Sequence, residues 1–383
     1  MRPLRIGMVA GETSGDLLAA SVLDGLTARR PALESGGIGG AQMRQRGFDA
    51  WWPVEALSVN GYVEVLREYP RLKRMRDSLR ERLVEWQPQL FVGIDAPDFN
   101  LDLEAKLRAH GVRTAHFIGP SIWAWRGGRI ARIREAVDHV LLIFPFEEAI
   151  YREAGIPATY VGHPLADRIP EQIDTGAARQ ALGLFPGAGQ VVALLPGSRR
   201  GEVERLAPDF LRTAVWLHVR RPELRFVLPA ASDALFERLR EMAADLKLPA
   251  TLPLTLVNGR SHDCIAAADA VLVASGTATL EVALMRKPMV IAYRLAWLSH
   301  RIMKRMAYLP WIGLPNILCR DSVVPEFVQS AVTPPALAQA LLEQLDDPAR
   351  QAAIAARFAD LHGQLRRDCA ARTSEKLLEL ADG

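Results

Sequence analysis

The chain holds only three cysteines in 383 residues, Cys264, Cys319 and Cys369, and no two of them form a C-x-x-C pair. That scatter excludes a disulfide framework and a cysteine-based metal site, and it fits a reducing compartment. No Asp-x-Asp pair occurs, and the eight histidines show no ligand spacing; the short motifs that usually hold a divalent cation are missing. Charge of one sign is scarce as well: the formal net charge of +3 is too small to argue for nucleic acid. No uninterrupted apolar run reaches the roughly 20 residues that a membrane span needs. The start, Arg2-Pro3-Leu4-Arg5, runs straight into a strand pattern without the long apolar core of a signal peptide. Neither G-x-G-x-x-G nor Gly-Lys-Ser/Thr is found, which weighs against Rossmann-dinucleotide and P-loop readings. What remains is an ordinary globular composition, 49% hydrophobic and 24% charged, in a chain long enough for two or three domains.

Short apolar runs at 6–10, 90–94, 114–118 and 139–143, and again at 191–195, 225–229, 254–257, 270–274 and 289–293, alternate with helical patterns. Such alternation predicts βαβ units and parallel sheets covered by helices. Composition turns to Pro, Gly, Ala and polar residues over 169–190. The expected organisation is therefore α/β, with two doubly wound parallel-sheet domains facing a cleft. Residues 1–170 form the first and 171–344 the second. Helices from about 345 to 383 pack back on the first domain or on a partner subunit. Ligands are expected at the C-terminal ends of the strands.

Several strand-to-helix turns could carry chemistry. Ser275-Gly276-Thr277-Ala278-Thr279-Leu280-Glu281 follows the run 270–274. Its small residues would leave backbone N–H groups at a positive helix end, suited to phosphate. Glu281, one turn on, could accept hydrogen bonds from two ribose hydroxyls. The same residues would also serve as a plain helix cap. Leu195-Pro196-Gly197-Ser198-Arg199 ends another strand: Gly197 and Ser198 permit close backbone approach, and Arg199 could neutralise a diphosphate. In the first half, Gly11-Glu12-Thr13-Ser14-Gly15-Asp16 occupies an equivalent position. Asp95-Ala96-Pro97-Asp98-Phe99-Asn100 follows 90–94, where Asp98 is either a general base or a helix cap. Trp123, Trp125 and His163 could line a sugar or acyl pocket or belong to the core. Asn316 and Gln329 offer amides suited to a base or a pyrophosphate.

One stretch speaks of membranes. From Val59 to Trp86 apolar residues recur at helical spacing, among them Val63, Leu66, Tyr69, Leu72, Met75, Leu79 and Leu83. Between them stand Arg67, Arg71, Lys73, Arg74, Arg76, Arg80 and Arg82. A basic amphipathic helix, bent at Pro70, can lie on an anionic surface; an ordinary surface helix has the same look.

Taken in order, these blocks closely resemble the lipid-A-disaccharide synthase family, bacterial glycosyltransferases of the GT-B fold. The matching residues are Gly11 to Asp16, Gly37-Ile38-Gly39-Gly40 with Met43, Asp95 to Asn100, Pro120 to Arg126, Pro145-Phe146-Glu147 and Val161 to Leu165. They continue with Leu195 to Arg199 and Glu202, Ser275 to Glu281, Pro288-Met289-Val290, Pro315 to Leu318 and Pro325 to Gln329. Gly119 and Asn60 depart from the pattern. The resemblance implies transfer from UDP-2,3-diacylglucosamine to 2,3-diacylglucosamine 1-phosphate (lipid X), forming a β(1→6) disaccharide with inversion and releasing UDP. It makes Asp98 the base and sets Gly197, Ser198, Arg199, Ser275, Gly276, Thr277, Glu281, Asn316 and Gln329 around the UDP-sugar. Ser14, Asp16, Trp123, Trp125 and His163 fall on the acceptor side. Membrane contact falls to Val63, Leu66, Tyr69, Arg71, Leu72 and Arg74. It implies no metal ion, a homodimer with exchanged C-terminal helices, and a cytoplasmic enzyme peripheral on the inner face of the inner membrane. Two rivals share the turns: a related enzyme or epimerase using UDP-N-acetylglucosamine, and a nucleotide-sugar-binding regulator without chemistry.

Overall fold

Val191-Val192-Ala193-Leu194-Leu195 is almost wholly buried. Continuous apolar runs of this kind become the strands of parallel sheets because both of their faces are covered. A computed structural model describes residues 3–57, 62–120, 122–123, 127–184, 189–295 and 309–383. The first sheet has seven parallel strands: β1 (Arg5–Ala10), β2 (Glu34–Gly39), β3 (Asp49–Pro53), β4 (Leu90–Ile94), β5 (Arg113–Phe117), β6 (His139–Leu142) and β7 (Ala158–Tyr160). The second has six parallel strands: β8 (Val191–Leu195), β9 (Arg225–Ala230), β10 (Leu254–Asn258), β11 (Ala270–Ala274), β12 (Met289–Tyr293) and β13 (Glu326–Val328). Their orders are β3-β2-β1-β4-β5-β6-β7 and β10-β9-β8-β11-β12-β13. Each order reverses once, between β1 and β4 and between β8 and β11. At such a reversal the two outgoing loops part to opposite faces and open a crevice at the strand ends.

The chain divides into two units, Met1–Asp167 with Gln364–Gly383, and Arg168–Gly363. In the first, the helix Tyr62–Trp86 runs through Pro70 and lays Met75, Leu79 and Leu83 against Val9, Ile38 and Phe91. Complete burial of Leu79 and Leu83 contributes about 1.5–3 kcal/mol each. The terminal helix Cys369–Asp382 packs on the first helix, Thr13–Arg29. There Ser374 Oγ donates to the Val22 carbonyl at 3.0 Å. A Cβ at Gly25 would lie 2.3 Å from that oxygen, so only glycine lets the two helices approach this closely. In the second unit, Val203, Leu206, Phe210, Ala214 and Leu217 of the helix Arg200–Arg220 recur at helical spacing and join the core beneath β8, β9 and β11.

Four strands, β2, β3, β7 and β13, lie outside the apolar runs. Glu34-Ser35-Gly36-Gly37-Ile38-Gly39 has almost no side chains to read, yet it pairs with the central β1. The glycines are what the pairing requires: a Cβ at Gly36 would lie 2.8 Å from the Trp51 ring, and one at Gly37 (φ 145°) would lie 2.1 Å from the Met8 carbonyl oxygen.

Candidate active site

Both sheet reversals carry the turns that the sequence singles out. In the first unit, the loop after β1 meets the loop after β4: a Cβ on Gly11 would lie 2.2 Å from that of Ala96. Asp95 and Ala96 are both left-handed, at φ 54° and 44°. They turn the chain sharply from β4 into the helix Pro97–Ala109, with Asp98 in its first turn. The Asp98 side chain is 74% exposed, and its Oδ1 accepts a hydrogen bond from Arg129 Nη2 at 2.6 Å. A carboxylate held at one oxygen keeps the other available for a proton.

Asp16 is buried. Its carboxylate accepts from the backbone N–H groups of Gly40 at 2.8 Å, Gln42 at 2.9 Å and Met43 at 3.2 Å. It therefore ties the loop after β1 to the loop after β2, whereas Ser14, two residues earlier, is exposed. Trp123 stands edge-on to Phe144 (5.9 Å) and Phe146 (5.2 Å), and the Phe144 ring lies 5.3 Å from His163. Burial pushes His163 down to about 3, so its ring is neutral. Under the same cluster, burial raises the Glu147 carboxyl to about 8, although the Phe144 N–H donates to it at 3.1 Å. Trp125 lies outside the described residues.

In the second unit, Val273 of β11 is in register with Leu195 of β8, so the turns after these strands leave the sheet side by side. Gly197 is left-handed at φ 123°, and Glu202 Oε2 accepts from the N–H groups of Ser198 (3.2 Å) and Arg199 (3.3 Å). That fixes the backbone of the turn and leaves the Arg199 side chain 82% exposed. Across the reversal, the Ser275 N–H donates to the Ala292 carbonyl at 2.9 Å and its hydroxyl to the Ile312 carbonyl at 2.9 Å. Gly276 and Thr277 are exposed at the head of the helix Thr277–Leu284, whose first N–H groups have no carbonyl partner within the helix. Glu281 is one turn in, and its Oε2 lies 3.3 Å from His262 Nε2. That hydrogen bond outweighs partial burial and raises the His262 pKa.

The Asn316 amide is fully used inside the protein. Nδ2 donates to the Val324 carbonyl and to Glu326 Oε1, both at 2.8 Å, and Oδ1 accepts from the Val324 N–H at 3.1 Å. Glu326 in turn accepts from the N–H groups of Ile312 and Gly313 at 2.8 and 3.0 Å. Gln329 clamps Leu295, accepting from its N–H at 3.2 Å and donating to its carbonyl at 3.3 Å. These amides hold the loop that receives the Ser275 hydroxyl. Arg129 and His262 carry no motif of their own; each is set beside its partner by packing across 31 and 19 residues of chain.

Among its described side chains, the basic helix exposes one cluster near Pro70. Tyr69 is 53% exposed, and Arg71, Lys73 and Arg74 are exposed with it. Leu72 is half-buried against the core, and the apolar positions beyond it face the sheet. The side chains of Val63 and Leu66 lie outside the described residues. Among those described, no helix is long and apolar enough to cross a membrane.

A family model described as lipid-A-disaccharide synthetase matches residues 6–379. The lipid-A-disaccharide synthase of Thiobacillus denitrificans is 56% identical over 365 residues, covering 95% of this chain and 96% of its own. The chain belongs to the lipid-A-disaccharide synthase family. Solved structures with the family's architecture include the UDP-GlcNAc 2-epimerase of Neisseria meningitidis bound to UDP-GlcNAc. It is similar with a TM-score of 0.68 at 12% identity, over 98% of this chain and 100% of that one. The glycotransferase of kitacinnamycin is similar with a TM-score of 0.66 at 16% identity, over 99% and 100%. Likeness at such identity is likeness of fold, and the fold of this family member is GT-B.

Proposed function

We propose that this family member is an inverting glycosyltransferase that makes the lipid A disaccharide 1-phosphate. It joins UDP-2,3-diacylglucosamine to 2,3-diacylglucosamine 1-phosphate (lipid X). The observation that carries the reading is Asp98: in a chain matched to the family from end to end, it is an exposed carboxylate at the reversal of the first sheet, oriented by Arg129. In the reaction, one Asp98 oxygen takes the proton of the acceptor 6-hydroxyl. The 6-oxygen attacks the donor's anomeric carbon, and the bond from that carbon to the UDP phosphate oxygen breaks with inversion. UDP leaves carrying the negative charge. The exposed Arg199 guanidinium and the N–H groups at the head of the helix Thr277–Leu284 stabilise it without a metal. Glu281, steadied by His262, holds the ribose hydroxyls. That the donor is a UDP-sugar is supported by the UDP-GlcNAc bound in the epimerase of like fold. Mass spectrometry of the products from the two diacylated glucosamines tests the reading. The expected outcome is a β(1→6) disaccharide 1-phosphate and UDP, undiminished by excess chelator. Turnover of UDP-N-acetylglucosamine alone would overturn it.

Both substrates carry acyl chains, so the reading places the enzyme in the cytoplasm, on the inner face of the inner membrane. Tyr69, Arg71, Lys73 and Arg74 are the surface it would use. Each basic residue near an anionic bilayer is worth about 1 kcal/mol. Lys73→Gln with Arg74→Gln therefore lowers binding to vesicles containing phosphatidylglycerol by about 30-fold in flotation. Equal flotation of the two proteins would remove this helix from the account.

A further inference from the structure

The turn that presents Asp98 is an unusual one. Two successive non-glycine residues, Asp95 and Ala96, are left-handed, a conformation that persists only where the surroundings over-determine it. Three buried side chains lie beneath it. Asn100 is fully buried, and its Nδ2 donates to the Asp95 carbonyl at 2.8 Å. One helical turn further on, Glu104 is fully buried, and its Oε1 lies 2.8 Å from Nδ1 of the equally buried His116. All three meet at Gly93. This residue is in register with His116 across β4 and β5, and a Cβ on it would lie 2.2 Å from Glu104 Oε1 and 2.8 Å from Asn100 Cβ. The Asp95 N–H is anchored on the same neighbour strand, donating to the Phe117 carbonyl at 3.0 Å.

Apolar side chains would fill this volume at lower cost, because buried polar groups must recover lost hydration. The cost here is visible: Asn100 Oδ1, Glu104 Oε2 and His116 Nε2 are buried without a partner among the described residues. Burial also opposes a charge on His116, yet Glu104 and Asp95 together outweigh it and raise its pKa. Asn100, bonded to the turn, and the Glu104–His116 pair thus pack together at Gly93, between the core and the turn.

We propose that Asn100, Glu104 and His116 are positioning residues for sugar transfer, fixing the Asp95-Ala96-Pro97-Asp98 turn so that the Asp98 carboxylate is held where it takes the acceptor proton. The proposal rests on the reading of Asp98 as the base. Asn100→Leu removes the donor to the Asp95 carbonyl while keeping a similar volume. It lowers kcat at least tenfold, with KM for the UDP-sugar donor within twofold of the parent and an unchanged or higher Tm. His116→Leu lowers kcat in the same way but also lowers Tm, because it leaves Glu104 buried without its partner, and His116→Asn, which keeps a donor toward Glu104, recovers most of both losses. Glu104→Gln supplies a neutral, isosteric variant where a leucine variant does not fold. In an Asp98→Ala background Asn100→Leu lowers the residual rate no further, because there is no base left to aim. A folded Asn100→Leu protein with kcat within twofold of the parent, or a loss that adds in full to that of Asp98→Ala, overturns the proposal. Asp98→Asn measured in parallel separates the two ideas: normal turnover there refutes the base itself, whereas an inactive Asp98→Asn beside a normal Asn100→Leu refutes only the positioning.

Discussion

Asp98→Ala lowers kcat by about 10²–10⁴-fold, the usual contribution of a general base, and leaves the protein folded. The separation of the two effects follows from the site. Asp98 is 74% exposed, so truncating it opens no cavity, and the partner it loses, Arg129, keeps 21% of its own surface in solvent. Exposed pairs of this kind contribute about 0–1 kcal/mol. Donor affinity is also retained, since the groups assigned to UDP-sugar belong to the other unit, on the turns after β8 and β11. Asp98→Asn gives the same loss with less change of shape, because an amide oriented by Arg129 still cannot take a proton. Initial rates with both diacylated glucosamines, beside a thermal melt, check the prediction. An alanine variant with near-normal turnover and an unchanged melt would send the search for the base elsewhere.

How legible this site was in the sequence depends on what fixed each part of it. The runs Val191 to Leu195 and Ala270 to Ala274 are apolar throughout, since a parallel strand is covered on both faces, and pattern alone places the turns that follow them. Glu34 to Gly39 has no such signal: its path is set by the Met8 backbone and the Trp51 ring, which demand glycine, and these are long-range facts. The same division runs through the candidate residues. Asp98, Arg199 and Glu281 stand at fixed offsets from strand ends, and turn chemistry makes them candidates. Arg129, His262 and His116 draw notice only for what they meet, and nothing local in the chain says what that is. The helix Tyr62–Trp86 falls between the cases. Its period is plain, but the period does not say that Met75, Leu79 and Leu83 face the sheet while Tyr69 and Arg74 face solvent. Asn316 is the sharpest instance: an amide in a motif invites a ligand, yet all its hydrogen-bonding groups serve the Ile312–Glu326 region.

Glu147→Gln makes the protein more stable in alkali and changes little in acid. Glu147 is 1% exposed beside the Trp123, Phe144 and Phe146 rings, and burial there raises its carboxyl to about 8. The native protein therefore keeps a proton that the unfolded chain, titrating near the ordinary glutamate value of 4.5, gives up. Native stability then falls as pH rises from about 4.5 to about 8 and levels beyond, once both states are ionised. Across that window the loss is on the order of 3–5 kcal/mol. Glutamine carries no charge at any pH, and its carbonyl oxygen still accepts from the Phe144 N–H, so the variant has no such slope. Its Tm should equal that of the parent near pH 5 and exceed it by several degrees at pH 8.5. His163 acts in the opposite direction: held down to about 3, it draws stability away as pH falls below about 6.5. It does so in both proteins and cancels from the comparison. Melts that differ by the same amount at pH 5 and pH 8.5 would mean that Glu147 enters the folded state already ionised. A gap that opens only in alkali identifies a neutral carboxyl beneath the aromatic cluster, whose ionisation limits the pH range in which this end of the first sheet stays packed.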